Sequence, residues 1–389
     1  MQPIAVGPVD EPFDDVQRIA VLRGGGMGDL FFALPAITAL SRTYPDAHIT
    51  LLGTPIHRGL LDGRPGPVDE VVVLPYAEGV RPRPASRPAA RPADDDADDA
   101  TEIAAFQERM RARSFDLAVQ VHGGGRNSNA FLLELGARHT IGTATDDAPR
   151  LERMVPYIYY QHEVLRALEV VGTAGAATTG LSPTLEVTDG DRARAHAVTS
   201  ELGIERAAPW LALHTGSTDE RRKWPASSFA EVAERAAAGG YEVLLLGDAS
   251  EAEEVGAIAA QASAGNAGHI HVLAGRLGLD ALVGVLAACD VMVGNDSGPR
   301  HLAQAVGTPT VGIFWAGNLI MAGPLGRSLD RVHIGWVTRC PVCGIDVTQV
   351  GWSARRCAHD FPLTAEVSAE AVYADVVDLT ARNPRPRGR

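Results

Sequence analysis

Alternation is the feature that most constrains this chain. Short apolar β-like runs and helical stretches follow one another through "RIAVLRGG", "LFFALPAITALSRTYP", "HITLLGT" and "EVVVLPY". A second series then begins, with strands "WLALHTG", "YEVLLLGD", "HIHVLAG", "DVMVGND" and "TPTVGIFW" between helices "SSFAEVAERAAAG", "SEAEEVGAIAAQASA" and "GLDALVGVLAA". Parallel strands need a crossover, usually a helix, so this order predicts βαβ units and parallel sheets. Two series in 389 residues predict an α/β chain of two Rossmann-type, doubly wound parallel-sheet domains facing across a cleft. The small-residue stretch "TAGAATTGLSPTLEVTDGD" sets the expected bounds at 1–180 and 181–363, with a helix from about Thr364 to Arg382 and a tail in 364–389.

Residues 77–102, a Pro/Arg block followed by the acidic "DDDADDATE", offer too little apolar surface to offset ordering entropy, and a disordered insertion is expected there. Those nine residues carry six of the acids behind the net charge of −13, leaving about −7 elsewhere. Without a basic face, nucleic-acid binding is excluded. The N-terminus lacks a basic and apolar leader pattern, and no run of 18 apolar residues occurs, so a cytoplasmic protein without a transmembrane segment is expected.

In doubly wound sheets ligands sit beyond the carboxyl ends of strands, which singles out the turns Gly24–Asp29, His122–Arg126, His214–Lys223, Gly247–Glu251 and Asn295–His301. The first, in "RGGGMGDLFFALPAI", has no P-loop lysine, and a dinucleotide fingerprint started at Gly24 would need glycine where Asp29 stands. A carboxylate there repels phosphate. Two readings remain: Asp29 is a general base, with Gly26, Met27 and Gly28 letting an acceptor sugar approach, or Asp29 caps a helix that begins at Leu30. In "LHTGSTDERRKWP", the hydroxyls of Thr215, Ser217 and Thr218 precede Arg221, Arg222 and Lys223, which suits a diphosphate. In "GNDSGPRHLAQAVGTPTVGIF", Asp296 or Ser297 can cap a helix from about Arg300 to Val306. Ser297, Gly298 and His301 then sit at an anion-binding helix terminus, with Asp296 facing sugar hydroxyls.

These three motifs, in this order and spacing, resemble glycosyltransferase family 9, the ADP-heptose:lipopolysaccharide heptosyltransferases and their relatives. The resemblance implies a GT-B-like fold and an inverting, metal-independent transfer of a sugar, usually heptose from ADP-heptose, to a hydroxyl of a glycan, glycolipid or small-molecule acceptor. It implies Asp29 as catalytic base, and Asp296, Ser297, Gly298 and His301 as donor contacts. The family's diphosphate-balancing lysine falls on Arg222, with Lys223 beside it, and its ribose-binding acid on Asp248 or Glu251. The alternatives are a degenerate nucleotide-sugar-binding protein and a transferase using another donor. No cofactor is expected for catalysis, and peripheral membrane contact is compatible with a lipid-linked acceptor.

Apart from these motifs, Cys340, Cys343, Cys357 and His359 read C-x₂-C-x₁₃-C-x-H, four ligands that suit a tetrahedral structural zinc. Four cysteines are too few for a disulfide scaffold of this length.

Overall fold

The computed structural model describes residues 6–83, 93–178, 180–204, 206–262, 267–348 and 356–384. The chain divides into two compact units, Met1–Glu186 and Val187–Arg389.

The first unit runs β1 (Arg18–Leu22), α1 (Met27–Thr43), β2 (His48–Gly53), α2 (Pro55–Leu61), β3 (Glu70–Val73), α3 (Ala93–Arg111), β4 (Leu117–Gln120), α4 (Ser128–Leu133), β5 (His139–Ala144), β6 (Arg153–Pro156) and α5 (Glu163–Gly172). Its six strands are parallel, in the order β3-β2-β1-β4-β5-β6. The central strands read as continuous apolar runs because both faces are covered: β4, "LAVQ", is buried at every position. Phe106 and Met110 of α3 pack with Phe115, Phe131 and Leu132, the Phe106 and Phe131 rings lying 5.8 Å apart. These anchors extend α3 back to Ala93, into the stretch whose composition suggested disorder. Arg83 pairs with Asp99 of α3, and Ala77 bridges Arg81 in an antiparallel turn. Helix propagation from a buried end thus overrides a polar composition over 93–102; residues 84–92 of that expected insertion lie outside the described residues.

The second unit runs α6 (Asp189–Glu201), β7 (Trp210–His214), α7 (Ala226–Ala238), β8 (Glu242–Leu246), α8 (Ala252–Ala262), β9 (Ile270–Val272), α9 (Leu279–Ala288), β10 (Val291–Asn295), α10 (Gly298–Ala305), β11 (Thr310–Trp315), α11 (Ala316–Ala322), β12 (Asp330–Gly335) and α12 (Ala369–Arg382). Its sheet is β12-β11-β10-β7-β8-β9, all parallel. Read from β9, this is the first sheet's order repeated: third, second, first, fourth, fifth, sixth. α12 closes the core, since Val372, Val376 and Leu379, one helical face, are fully buried beside Phe229, Val232 and Val243. Each such side chain contributes about 1.5–3 kcal/mol through burial.

The repeated order fixes where ligands bind. Strand order reverses between β1 and β4 in one unit and between β7 and β10 in the other, and crevices open at the carboxyl ends of such strand pairs. The turns after these four strands are Gly24–Asp29, His122–Arg126, His214–Lys223 and Asn295–His301.

Candidate functional site

In the first unit the glycines make room for an aspartate. α1 begins at Met27, so Asp29 occupies its third position rather than preceding a helix at Leu30, and Asp29 Oδ2 accepts the backbone N–H of Gly26 at 2.8 Å. A Cβ on Gly25, whose φ is +88°, would lie 2.4 Å from that oxygen, and one on Gly24 would lie 1.9 Å from the Val80 carbonyl. The turn is therefore glycine-rich because Asp29 folds back over it and Val80 presses from behind. The other carboxylate oxygen, Oδ1, accepts from Arg23 Nη2 at 2.6 Å, while 40% of the Asp29 side chain stays exposed. Capping and ion pairing thus coexist on one carboxylate that still faces solvent.

Arg23 is the residue that motif reading passed over. Its side chain is 5% exposed, donates to Val121 O, and also pairs with Glu163 at 3.3 Å. Burial pulls the guanidinium's pKa down; Asp29 and Glu163 more than offset this and leave it raised. Glu163 opens α5 and is held in turn by Arg166. Buried His57 donates from Nε2 to Gly26 O at 2.9 Å and accepts the Thr54 N–H at Nδ1, 3.3 Å, which assigns the neutral tautomer. Its pKa is lowered, chiefly by burial. His122 is pushed down to about 4 by burial and then by the Arg23 charge. Gln120, at the end of β4, holds the neighbouring turn through His122 O (2.6 Å) and Ser128 Oγ (2.5 Å). Met27 is buried, so of the expected acceptor-side residues only Gly26 and Gly28 reach the surface.

In the second unit, Asn295 ties the two turns together: its amide donates to Thr215 O at 2.7 Å and its carbonyl accepts the Trp224 N–H at 3.0 Å. His214 Nδ1 lies 3.1 Å from Ser297 Oγ, and burial pushes His214 down to about 4, so the ring is neutral at pH 7. Ser297 is the N-cap of α10, which starts at Gly298, yet no side chain caps the helix. Pro299, the second residue of α10, has no N–H, so what this terminus presents to an anion is the Gly298 N–H and the helix dipole. Ser217 Oγ is buried without a hydrogen-bond partner among the described residues, while Thr218 is exposed and Thr215 buried.

The three cations differ in what already holds them. Arg221 is clamped by Asp219 at 2.6 and 3.1 Å, and Lys223 bridges Glu220 (3.0 Å) and Glu254 (3.2 Å). Arg222 keeps a longer contact, 4.0 Å to Asp219, with a third of its side chain exposed. The two acids after β8 also separate. Asp248 Oδ1 accepts Ser250 N (2.7 Å), Ser250 Oγ (2.6 Å) and Glu251 N (3.2 Å), a turn-capping pattern. Glu251 is half-buried, its pKa raised by that burial, and it lies so close to the loop that a Cβ on Gly216 would be 1.8 Å from Oε1.

Asp296 and His301 form a buried pair. Asp296 Oδ1 accepts from His301 Nε2 at 3.0 Å and Oδ2 from Asn318 Nδ2 at 2.6 Å. Burial would raise the Asp296 carboxyl, but His301, Arg300 and Asn318 hold it below its usual value. His301 is 5% exposed, its pKa lowered by burial and by Arg300. The ring is thus buried and donates from Nε2 to Asp296.

Cys340, Cys343, Cys357 and His359 bring their ligand atoms within 4.8 Å of one another. No helix among the described residues is long and apolar enough to cross a membrane.

Comparison with known proteins agrees with this architecture. The family model described as glycosyltransferase family 9 (heptosyltransferase) matches residues 103–338, more than half of the chain. Lipopolysaccharide heptosyltransferase 1 of Pseudomonas aeruginosa is 26% identical over 342 residues, covering 84% of this chain and 86% of that protein. Lipopolysaccharide heptosyltransferase 2 of Escherichia coli is 27% identical over 155 residues, 40% of this chain and 44% of that one. Among solved structures, a family 9 glycosyl transferase from Veillonella parvula superposes with a TM-score of 0.73 at 19% identity, covering 94% of this chain and 97% of that chain. E. coli ADP-heptose LPS heptosyltransferase II gives 0.71 at 19%, covering 95% and 100%. The paired parallel sheets are the GT-B-like fold of those structures, and the chain belongs to glycosyltransferase family 9, the heptosyltransferase family, as a sugar-transferring enzyme.

Proposed function

We propose that this glycosyltransferase moves heptose from ADP-heptose to a hydroxyl of a glycan or glycolipid acceptor, with inversion at the anomeric carbon and no catalytic metal. The relatives' names, lipopolysaccharide heptosyltransferases 1 and 2, support a lipopolysaccharide-type acceptor. A solved heptosyltransferase with ADP at a TM-score of 0.63 supports the adenine nucleotide. One observation carries the chemistry: a half-exposed carboxylate, Asp29, fixed by Arg23 and Gly26 at the carboxyl end of β1.

Asp29 accepts the proton of the acceptor hydroxyl as its oxygen attacks the anomeric carbon from the face opposite the diphosphate. The bond from that carbon to the phosphate oxygen breaks, and ADP departs with an additional negative charge. Arg222, the backbone N–H groups of Ser297 and Gly298 where α10 begins, and the Ser217 hydroxyl stabilise that charge, with Lys223 and Thr218 at the rim. Asp296, oriented by His301, accepts from heptose hydroxyls. Glu251 accepts from the ribose hydroxyls through Oε1, which borders the Gly216 loop, while its Oε2 takes the Asp248 N–H and the Asp248 carboxylate is spent on its own turn. The test is product stereochemistry: with β-configured ADP-heptose, proton NMR of the product is expected to give the α-glycoside and stoichiometric ADP. A retained anomer would overturn the single-displacement mechanism.

A further inference from the structure

Between the end of β12 and the start of α12, residues 336–368 form no helix or strand among the described residues apart from the Arg339–Asp346 bridge. At its C-terminal end Thr364 and Val367 are buried, Val367 in the main core, but ahead of them the described residues bury little: Cys340, Val347 and Leu363, with Trp315, Val337, Cys357 and Phe361 partly buried around them. A core that small does not order a long strap, and small structures of this kind are commonly held by a metal. The strap nevertheless grips the cation loop of the second unit. Leu363 N–H donates to Arg221 O at 2.7 Å, Thr364 Oγ1 to Lys223 O at 3.1 Å, and Arg356 lies 3.8 Å from Asp219.

The cluster has the form of a metal knuckle. Gly344 N–H donates to Cys340 O (2.9 Å) and Cys340 N–H to Ile345 O (2.8 Å), closing a turn in which Gly344 has φ +72°. Cys357 and His359 arrive from the far end of the loop, with Cys340 Sγ 3.7 Å from His359 Nδ1. Tetrahedral zinc with Zn–S of about 2.3 Å and Zn–N of about 2.0 Å separates its ligand atoms by roughly 3.5–3.8 Å, which fits a cluster spanning 4.8 Å or less.

We propose that Cys340, Cys343, Cys357 and His359 bind one zinc ion through three thiolates and one imidazole nitrogen, the thiol protons passing to solvent, and that this ion pins the strap holding Arg221–Lys223 in place. The second half rests on the reading of that loop as the diphosphate site. The ion stands apart from the reacting atoms and acts only on loop position.

Metal analysis of the full chain purified without chelators is expected to give about one zinc per chain. The Cys343→Ser/Cys357→Ser variant should hold less than about a tenth of that, and His359→Cys, which rebuilds a four-sulfur site, should keep it. Cobalt substituted for zinc should show the visible bands of a tetrahedral thiolate site. An absence of metal, zinc that persists in the double variant, or iron in place of zinc would overturn the site assignment. Removing zinc from the wild type should weaken ADP binding severalfold in calorimetry, with recovery on re-addition. Unchanged ADP affinity in protein shown to be zinc-free would overturn the pinning role, and failure of ADP to bind the zinc-loaded protein would instead overturn the donor-site reading.

Discussion

At the scale of single residues, Asp29 caps its own helix and pairs with Arg23 through one carboxylate. Helix capping and acid–base chemistry stand as rival explanations of an acid beside a glycine turn, and here Oδ2 serves the first while Oδ1 and Arg23 set the carboxylate's direction. Glu251 and Asp248 separate for the opposite reason. Three residues apart in sequence, they differ in burial, and only Glu251 borders the Gly216 loop. Glu251→Ala is expected to weaken ADP binding by about 1.5–3 kcal/mol, roughly 10- to 100-fold, as hydrogen bonds to a charged group do. Asp248→Ala should change affinity less than about threefold while lowering stability by about 1 kcal/mol through the lost turn cap. Calorimetry on both variants checks the pair, and the reverse ranking would give the ribose to Asp248.

At the scale of elements, the glycine turn after β1 is an instrument for placing Asp29. Gly24 has no room for a side chain against the Val80 carbonyl, whereas a Cβ on Gly26 would meet nothing nearer than Asp29 Oδ2 at 3.9 Å. Gly24→Ala should therefore cost about 1–3 kcal/mol of stability, the range for overpacking, and Gly26→Ala should cost well under 1 kcal/mol. Denaturant midpoints measure both; equal effects would mean that Val80 yields. The strands and helices around this turn were legible in the sequence because their apolar periods differ, and the motif turns could be placed from the same pattern. The edge strands β6 and β12 were not: β6 ends in Pro156 and β12 is half-polar, so neither carries an apolar run. Arg23 and Glu163 lie 140 positions apart, and no local spacing announces their pairing. Burial of His214, at the end of β7, and of His301, in α10, likewise comes from packing that no local spacing announces, since a histidine in such a motif reads equally as a ligand contact.

At the scale of the molecule, the turn at the corresponding strand pair of each unit holds a histidine that is neutral at pH 7, His122 partly buried and His214 buried. His122 and His214 titrate near 4 when folded, against about 6.5 unfolded. Between those values the unfolded chain binds protons that the folded chain refuses. Stability therefore holds above about pH 6.5 and falls as pH drops toward 4, by up to about 1.4 kcal/mol per pH unit for each histidine. Thermal unfolding between pH 7 and 4.5 should show this slope, and His214→Gln should reduce it; an unchanged slope would exclude His214 as a contributor. The account's central claim, that a carboxylate on the first unit removes the proton while the second unit holds the nucleotide, is tested most directly by measuring turnover and ADP affinity together in Asp29→Asn. The expected result is turnover reduced roughly 10²-fold or more with ADP affinity unchanged. Near-normal turnover, or ADP affinity lost in step with rate, would contradict it.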